Sequence, residues 1–171
     1  VSVEMPPDVK LLLPLSGYAS LNDALRITGF VPHNITEPSQ TIYFGHSPKN
    51  PAENACRVEC DGWRSAVSDF NQNPEFSYGL CDDIAPGGVC AGAMAVHRCF
   101  LKATDISARS LESPFGLSLW LPGSDWRNPV SNTTLLHNLP NRFWILGLGH
   151  LGQAFLWNLA MLPFPNREEV H

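Results

Sequence analysis

No stretch of this sequence reaches the ~20 consecutive apolar residues needed to cross a bilayer, so no membrane function is expected. Basic residues are also scarce. Lys and Arg number 11 against 16 Asp and Glu, the net charge is −5, and no basic cluster stands out. That excludes the electrostatic footprint of a nucleic-acid binder. The opening Val1-Ser2-Val3-Glu4 lacks the basic and apolar regions of a signal peptide, so a cytoplasmic protein is expected. It opens on Val and not on Met, consistent with a processed or trimmed N-terminus. No internal repeat of fixed period is present.

The five cysteines (56, 60, 81, 90 and 99) are an odd number and contain no Cys-x-x-Cys. No His or Cys stands at ligand spacing from Cys56 and Cys60, so no metal is expected within the chain. Reduced, structural thiols are the expectation. Asn34 and Asn132 head Asn-x-Thr triplets, but without a secretory signal they read as ordinary loop residues.

What is present suffices for a core. Hydrophobic residues make up 44% of the chain, with nine Phe and five Trp. A chain of 171 residues holds one ordinary domain, or a compact domain plus part of another. Val9 to Leu15 reads as a short buried strand. Ser20 then fits an N-cap, with Asp23 in the first turn of a helix faced by Leu21, Ala24, Leu25 and Ile27. Thr41 to Gly45 is β-branched and aromatic, a strand. Cys56 to Cys60 alternates apolar and charged residues as a half-buried strand does. Asp61-Gly62 turns it into a return over Trp63 to Val67.

Pro86-Gly87-Gly88 precedes a small-residue helix over Val89 to Thr104, expected to lie on a sheet, with His97 as a core or boundary residue. Phe115 to Leu121 is apolar at nearly every position and reads as a central strand. Trp126 to Pro140 is polar and turn-rich. The boundaries that follow are a degenerate α/β domain over 1–121, a linker over 122–141, and the start of a second domain over 142–171.

That second start is the most informative stretch. The apolar run Phe143-Trp144-Ile145-Leu146 enters a loop with glycines at 147, 149 and 152, and a helical pattern follows. Strand, glycine turn and helix in this order form the nucleotide-binding opening of a βαβ unit. Gly147 permits the tight turn, Gly149 lets backbone amides approach a phosphate, and Gly152 lets the helix pack close on the strand. The helix N-terminus offers N–H groups and a partial positive charge to an anion. An acidic residue to bind a ribose hydroxyl is expected ~20 residues further on, after the next strand. Glu168 and Glu169 precede that strand and are poor candidates for it. The glycines also have a bland reading, in which they only let helix and strand pack closely.

The segment Pro86 to Lys102 (PGGVCAGAMAVHRCFLK), taken with Gly147-Leu148-Gly149-His150-Leu151-Gly152, resembles the ThiF-type family, adenylating enzymes related to the activators of ubiquitin-like proteins. The sequence departs from that family at His150, where glycine is common. The resemblance implies a Rossmann-like α/β fold with a mixed or mainly parallel sheet, followed by the first βα unit of a second Rossmann-type domain. It implies ATP as cofactor, with its phosphates on Gly147, Leu148, Gly149, His150, Leu151 and Gly152, and a carboxylate substrate such as the C-terminus of a ubiquitin-like protein. The family's acidic, basic and cysteine residues lie downstream of the loop, so no catalytic residue is assigned and this chain alone is expected to be inactive.

A lone strand and helix cannot bury their own apolar faces. Phe143 to Phe164 must therefore pack on the preceding domain, on the remainder of the Rossmann domain, or on a second chain, including a homodimeric copy. Two other readings stand beside adenylation. One is the start of an NAD(P)- or FAD-binding oxidoreductase domain, and the other a non-enzymatic α/β scaffold with a vestigial loop.

Other groups carry less. Asp82-Asp83 reads as a solvated loop, Ser16-Gly17-Tyr18 lacks a Gly-x-Ser-x-Gly elbow, and His33, His46, His137, His150 and His171 are scattered, so no triad is proposed.

Overall fold

A computed structural model describes residues 20–27, 40–44, 52–73, 76, 84–104, 114–129 and 144–162. The chain divides into two compact units, Val1–Ser39 and Gln40–His171.

In the first unit, helix α1 spans Leu21–Ile27. Ser20 caps it as the sequence suggests: the Asp23 amide donates to Ser20 Oγ at 3.2 Å, and that hydroxyl donates to the Asp23 carboxylate at 2.6 Å. The expected strand over Val9 to Leu15 lies outside the described residues.

The second unit is built on four strands in chain order: β1 (Thr41–Phe44), β2 (Ala55–Asp61), β3 (Arg64–Asp69) and β4 (Phe115–Ser118). β1 runs parallel to β2, while β2–β3 and β3–β4 are antiparallel. The fold is mixed α/β, compatible with the Rossmann-like class. Gly62, at φ 58°, makes the tight turn between β2 and β3, a left-handed conformation that glycine adopts at little cost.

Helix α2 (Ala85–Ala103) covers one face of the sheet. It starts a turn earlier than the sequence pattern suggests, because Pro86 falls in the first helical positions, where its missing N–H costs nothing. Ala91, Met94 and Ala95 pack with Cys56, Val58 and Val67, and Ile42, Phe115 and Leu117 close the edges. Cys56 and Cys60 share this face, as the strand period requires. The helix begins hard against the hairpin. A Cβ on Gly87 would stand 2.1 Å from the Gly62 carbonyl oxygen, and Ser65 Oγ donates to the Gly87 carbonyl at 2.7 Å.

Three expectations change. Arg57 and Glu59, read as the wet face of a half-buried strand, are 5% and 1% exposed. The other face of the sheet is also covered, by Phe70, Phe76 and Trp126. β4 is an edge strand that ends at Ser118, and Trp120 and Leu121 lie beyond it in exposed bends. His97, expected at the core or its boundary, is exposed on the outer side of α2.

The hairpin contact generates a test. Gly87→Ala forces a methyl group onto the Gly62 backbone and is expected to lower unfolding free energy by ~1–3 kcal/mol. Gly88→Ala meets only Cys60 Sγ at 4.0 Å and is expected to be neutral or to stabilise by up to ~1 kcal/mol. Urea denaturation of the two variants checks the contrast.

Candidate functional site

The glycine loop leads into helix α3, which spans His150–Ala160. Gly147 sits at φ 94°, in the left-handed region where a side chain is strained, so it is the residue that turns the chain. Gly149 is the N-cap, with extended backbone (φ −68°, ψ −172°) and no side-chain capping bond. A Cβ added there would meet nothing within 4 Å, so the space beside its α-carbon is open. Gly152 is the opposite case. A Cβ there would fall 2.2 Å from the Gly147 carbonyl oxygen, so its bare backbone lets the helix close on the loop.

The loop is held by local bonds. The Gln153 amide donates to the Gly149 carbonyl at 3.0 Å, and its side-chain Nε2 donates to the Leu148 carbonyl at 3.0 Å. The first turn of α3 contains no acidic residue. Uncapped amides and the helix dipole therefore leave this end suited to an anion. His150 and Leu151 are exposed at the same end.

One expectation fails here. Residues 144–148 form no strand, and α3 has no buried residue. Trp144 and Leu146 are 92% exposed and Leu151 is 88% exposed, with Leu148, Phe155 and Trp157 also open. The physical reason is the one that makes a single βα unit unstable alone: a strand needs neighbours to take its N–H and C=O groups. The described part of the sheet does not supply them, since its strand order is complete from β1 to β4 without this segment.

The charged row under the aromatics went unrecognised in the sequence. Arg57 donates to the carbonyls of Phe70 and Gln72, each at 3.0 Å, and its guanidinium lies 4.9 Å from the Phe70 ring centre. Arg64 bonds Asp61 and the Arg127 carbonyl, and lies over Phe76. Trp126 packs edge-on to Phe76 and fills the space above Gly116. Phe70, Phe76 and Trp126 are the second cover, over the face that Arg57 and Glu59 share. These bonds tie the 119–129 segment to the sheet, a structural role.

Among the described residues, no group of three or more His, Cys, Asp or Glu is placed to hold a metal ion, and no helix is long and apolar enough to cross a membrane. Cys56, Cys60, Cys90 and Cys99 are free thiols. Burial, and then the neighbouring Asp61, pushes the Cys60 thiol up. Cys81, Asp82-Asp83, Ser16 to Tyr18, His33, His46, His137, His171, Glu168, Glu169, Asn34 and Asn132 lie outside the described residues.

Comparison with known proteins gives a consistent picture. The family model described as the BilD N-terminal domain matches residues 1–119, and the one described as the BilD C-terminal domain matches residues 139–171. A curated relative, the bacterial E1-like protein BilD of Collimonas sp. (strain OK412), is 31% identical over 169 residues, covering 96% of this chain. The chain spans 36% of that relative's length. No solved structure matches. The ThiF-type resemblance is corrected by these findings: both matching models are BilD domains, and no ThiF-family model matches.

Loop mechanics give the test for this site. Gly147→Ala and Gly152→Ala are each expected to fray α3, the first through ~1–2 kcal/mol of left-handed strain and the second through collision with Gly147. Gly149→Ala leaves the fold intact. Amide exchange over residues 150–160 distinguishes them.

Proposed function

The chain belongs to the BilD family, and we propose that it is the N-terminal part of an E1-like protein whose glycine loop receives the phosphates of ATP. The observation that carries this reading is the 96% coverage of the chain by a relative named E1-like, combined with a loop that is turned at Gly147, open at Gly149 and closed at Gly152.

In this reading, amides at the start of α3 face the phosphate chain, and Gly149 keeps a side chain out of its way. A carboxylate oxygen of the substrate attacks the α-phosphorus, the bond to the β-phosphate oxygen breaks, and pyrophosphate leaves with an acyl adenylate formed. The substrate is the C-terminal carboxylate of a ubiquitin-like protein. Groups that neutralise the triphosphate and choose the nucleoside belong to the part of the E1-like protein that extends beyond the length matched here.

The exposed apolar segment agrees with that division. Trp144, Leu146, Leu151, Phe155 and Trp157 form a surface of a kind that soluble monomers rarely leave uncovered. The remainder of the same C-terminal domain is the cover this reading assigns to it, supplying strand neighbours to 144–148 and an apolar bed to α3.

The full-length protein is the right material for the test. ATP with magnesium is expected to raise its melting temperature, and NAD, NADP and FAD are expected to leave it unchanged. Gly149→Val should abolish the ATP shift while preserving the ligand-free melting temperature within ~2 °C, a surface-sized effect. Stabilisation by a dinucleotide and not by ATP would contradict the reading.

A further inference from the structure

Helix α2 has a second apolar face that the sheet does not use. Ala91, Met94, Ala95 and Arg98 are its buried residues along the strands. On the outer side Val89, Ala93, Val96, Phe100 and Ala103 are all exposed, spaced alternately by four and three residues. That is the 3.5-residue period of a seam that packs against another apolar surface. Val96 is 64% exposed, Phe100 57% and Val89 47%, where a solvent-facing helix side carries polar residues instead. No acidic residue occurs anywhere in α2, and the seam itself carries no charge. A Cβ on Gly92 would meet nothing within 4 Å, so Gly92 and Ala93 leave a notch between Val89 and Val96 that is open to an incoming side chain.

We propose that this seam is the docking face on which the N-terminal domain seats the part of the BilD C-terminal domain that follows residue 171. The inference rests on the reading of this chain as the N-terminal part of a longer E1-like protein. The chain spans 36% of its E1-like relative, so nearly two-thirds of such a protein lies outside it. The seam also belongs to the same compact unit as α3, whose exposed apolar residues that reading covers with the same continuation. One body of chain then covers two apolar helix faces.

Area decides against a second copy as the occupant. From Val89 to Ala103 the seam is ~21 Å long, on a helix ~10 Å wide. Two copies paired seam to seam would cover on the order of 500 Å², about half of the ~1,000 Å² that a specific interface between separate chains requires. A segment of the same chain does not face that threshold. Its covalent connection replaces most of the association entropy with a high effective concentration.

The test is hydroxyl-radical footprinting of the full-length wild-type protein without nucleotide, read by peptide mass. Phe100 is expected to react as slowly as Phe76, which is 5% exposed, and to stay protected on dilution to the monomer. In the same protein Val96→Glu is expected to lower the melting temperature by at least ~5 °C, against ~1–2 °C for a substitution at a position that stays exposed. Rapid oxidation of Phe100, or a Val96→Glu variant that melts with the wild type, overturns the proposal. Protection that disappears on dilution also overturns it, because the cover is then a second copy. A natural product that ends at residue 171 sinks the underlying reading as well, whereas a longer product with an open α2 face sinks the proposal alone.

Discussion

The architecture of the larger unit depends on how closely α2 approaches the β2–β3 hairpin. Gly87 stands where any side chain would strike the Gly62 carbonyl, and Ser65 fastens the same point with a hydrogen bond. From that pivot the helix runs back along β2, laying Ala91, Met94 and Ala95 over Cys56, Val58 and Val67. Small residues on the helix make the distance short, and the short distance makes dispersion contacts dense. At the far end the pairing of Arg98 with Asp69 fixes the helix against β3. One end is held by bare backbone and the other by charge.

Covering the second face of the sheet takes a different kind of material. Arg57 and Arg64 are buried there, but their guanidinium groups reach backbone carbonyls and lie on aromatic rings, so the charges are not left without compensation. Segments that would otherwise be surface loops, around Phe70 and Trp126, become part of the core. A fold with both sheet faces occupied leaves no described place on the sheet for the apolar residues of 144–157. Their exposure is consistent with a described sheet whose two faces are already covered.

Several of these features were legible in the residues themselves. The Ser20 cap, the hairpin at Gly62, the small-residue helix and the α3 helix all follow from local chemistry: a short hydroxyl before an apolar period, a glycine that accepts positive φ, a 3.6-residue repeat. That the expected strand over 144–148 would be absent was not legible, because strand formation depends on neighbours that local sequence does not name. Nor was the burial of Arg57 and Glu59, since alternation of charged and apolar residues cannot say whether aromatics from 70, 76 and 126 will return to cover the charged side. The edge position of β4 failed for a related reason: Phe115 to Leu121 reads as apolar throughout, yet pairing stops at Ser118. At the glycine loop, the tight turn at Gly147 was legible from the residues, whereas Gly152 lies against the Gly147 carbonyl and not on the expected strand, and the ThiF-type attribution rested on motifs too short to identify the family.

The central claim is that the loop at 147–152 seats ATP phosphates in an E1-like protein. Its most direct measurement is ATP–pyrophosphate exchange by the full-length protein, with and without a ubiquitin-like protein bearing a free C-terminal carboxylate. The account predicts exchange that requires both partners and is lost in Gly149→Val. Exchange that persists undiminished in that variant would contradict it.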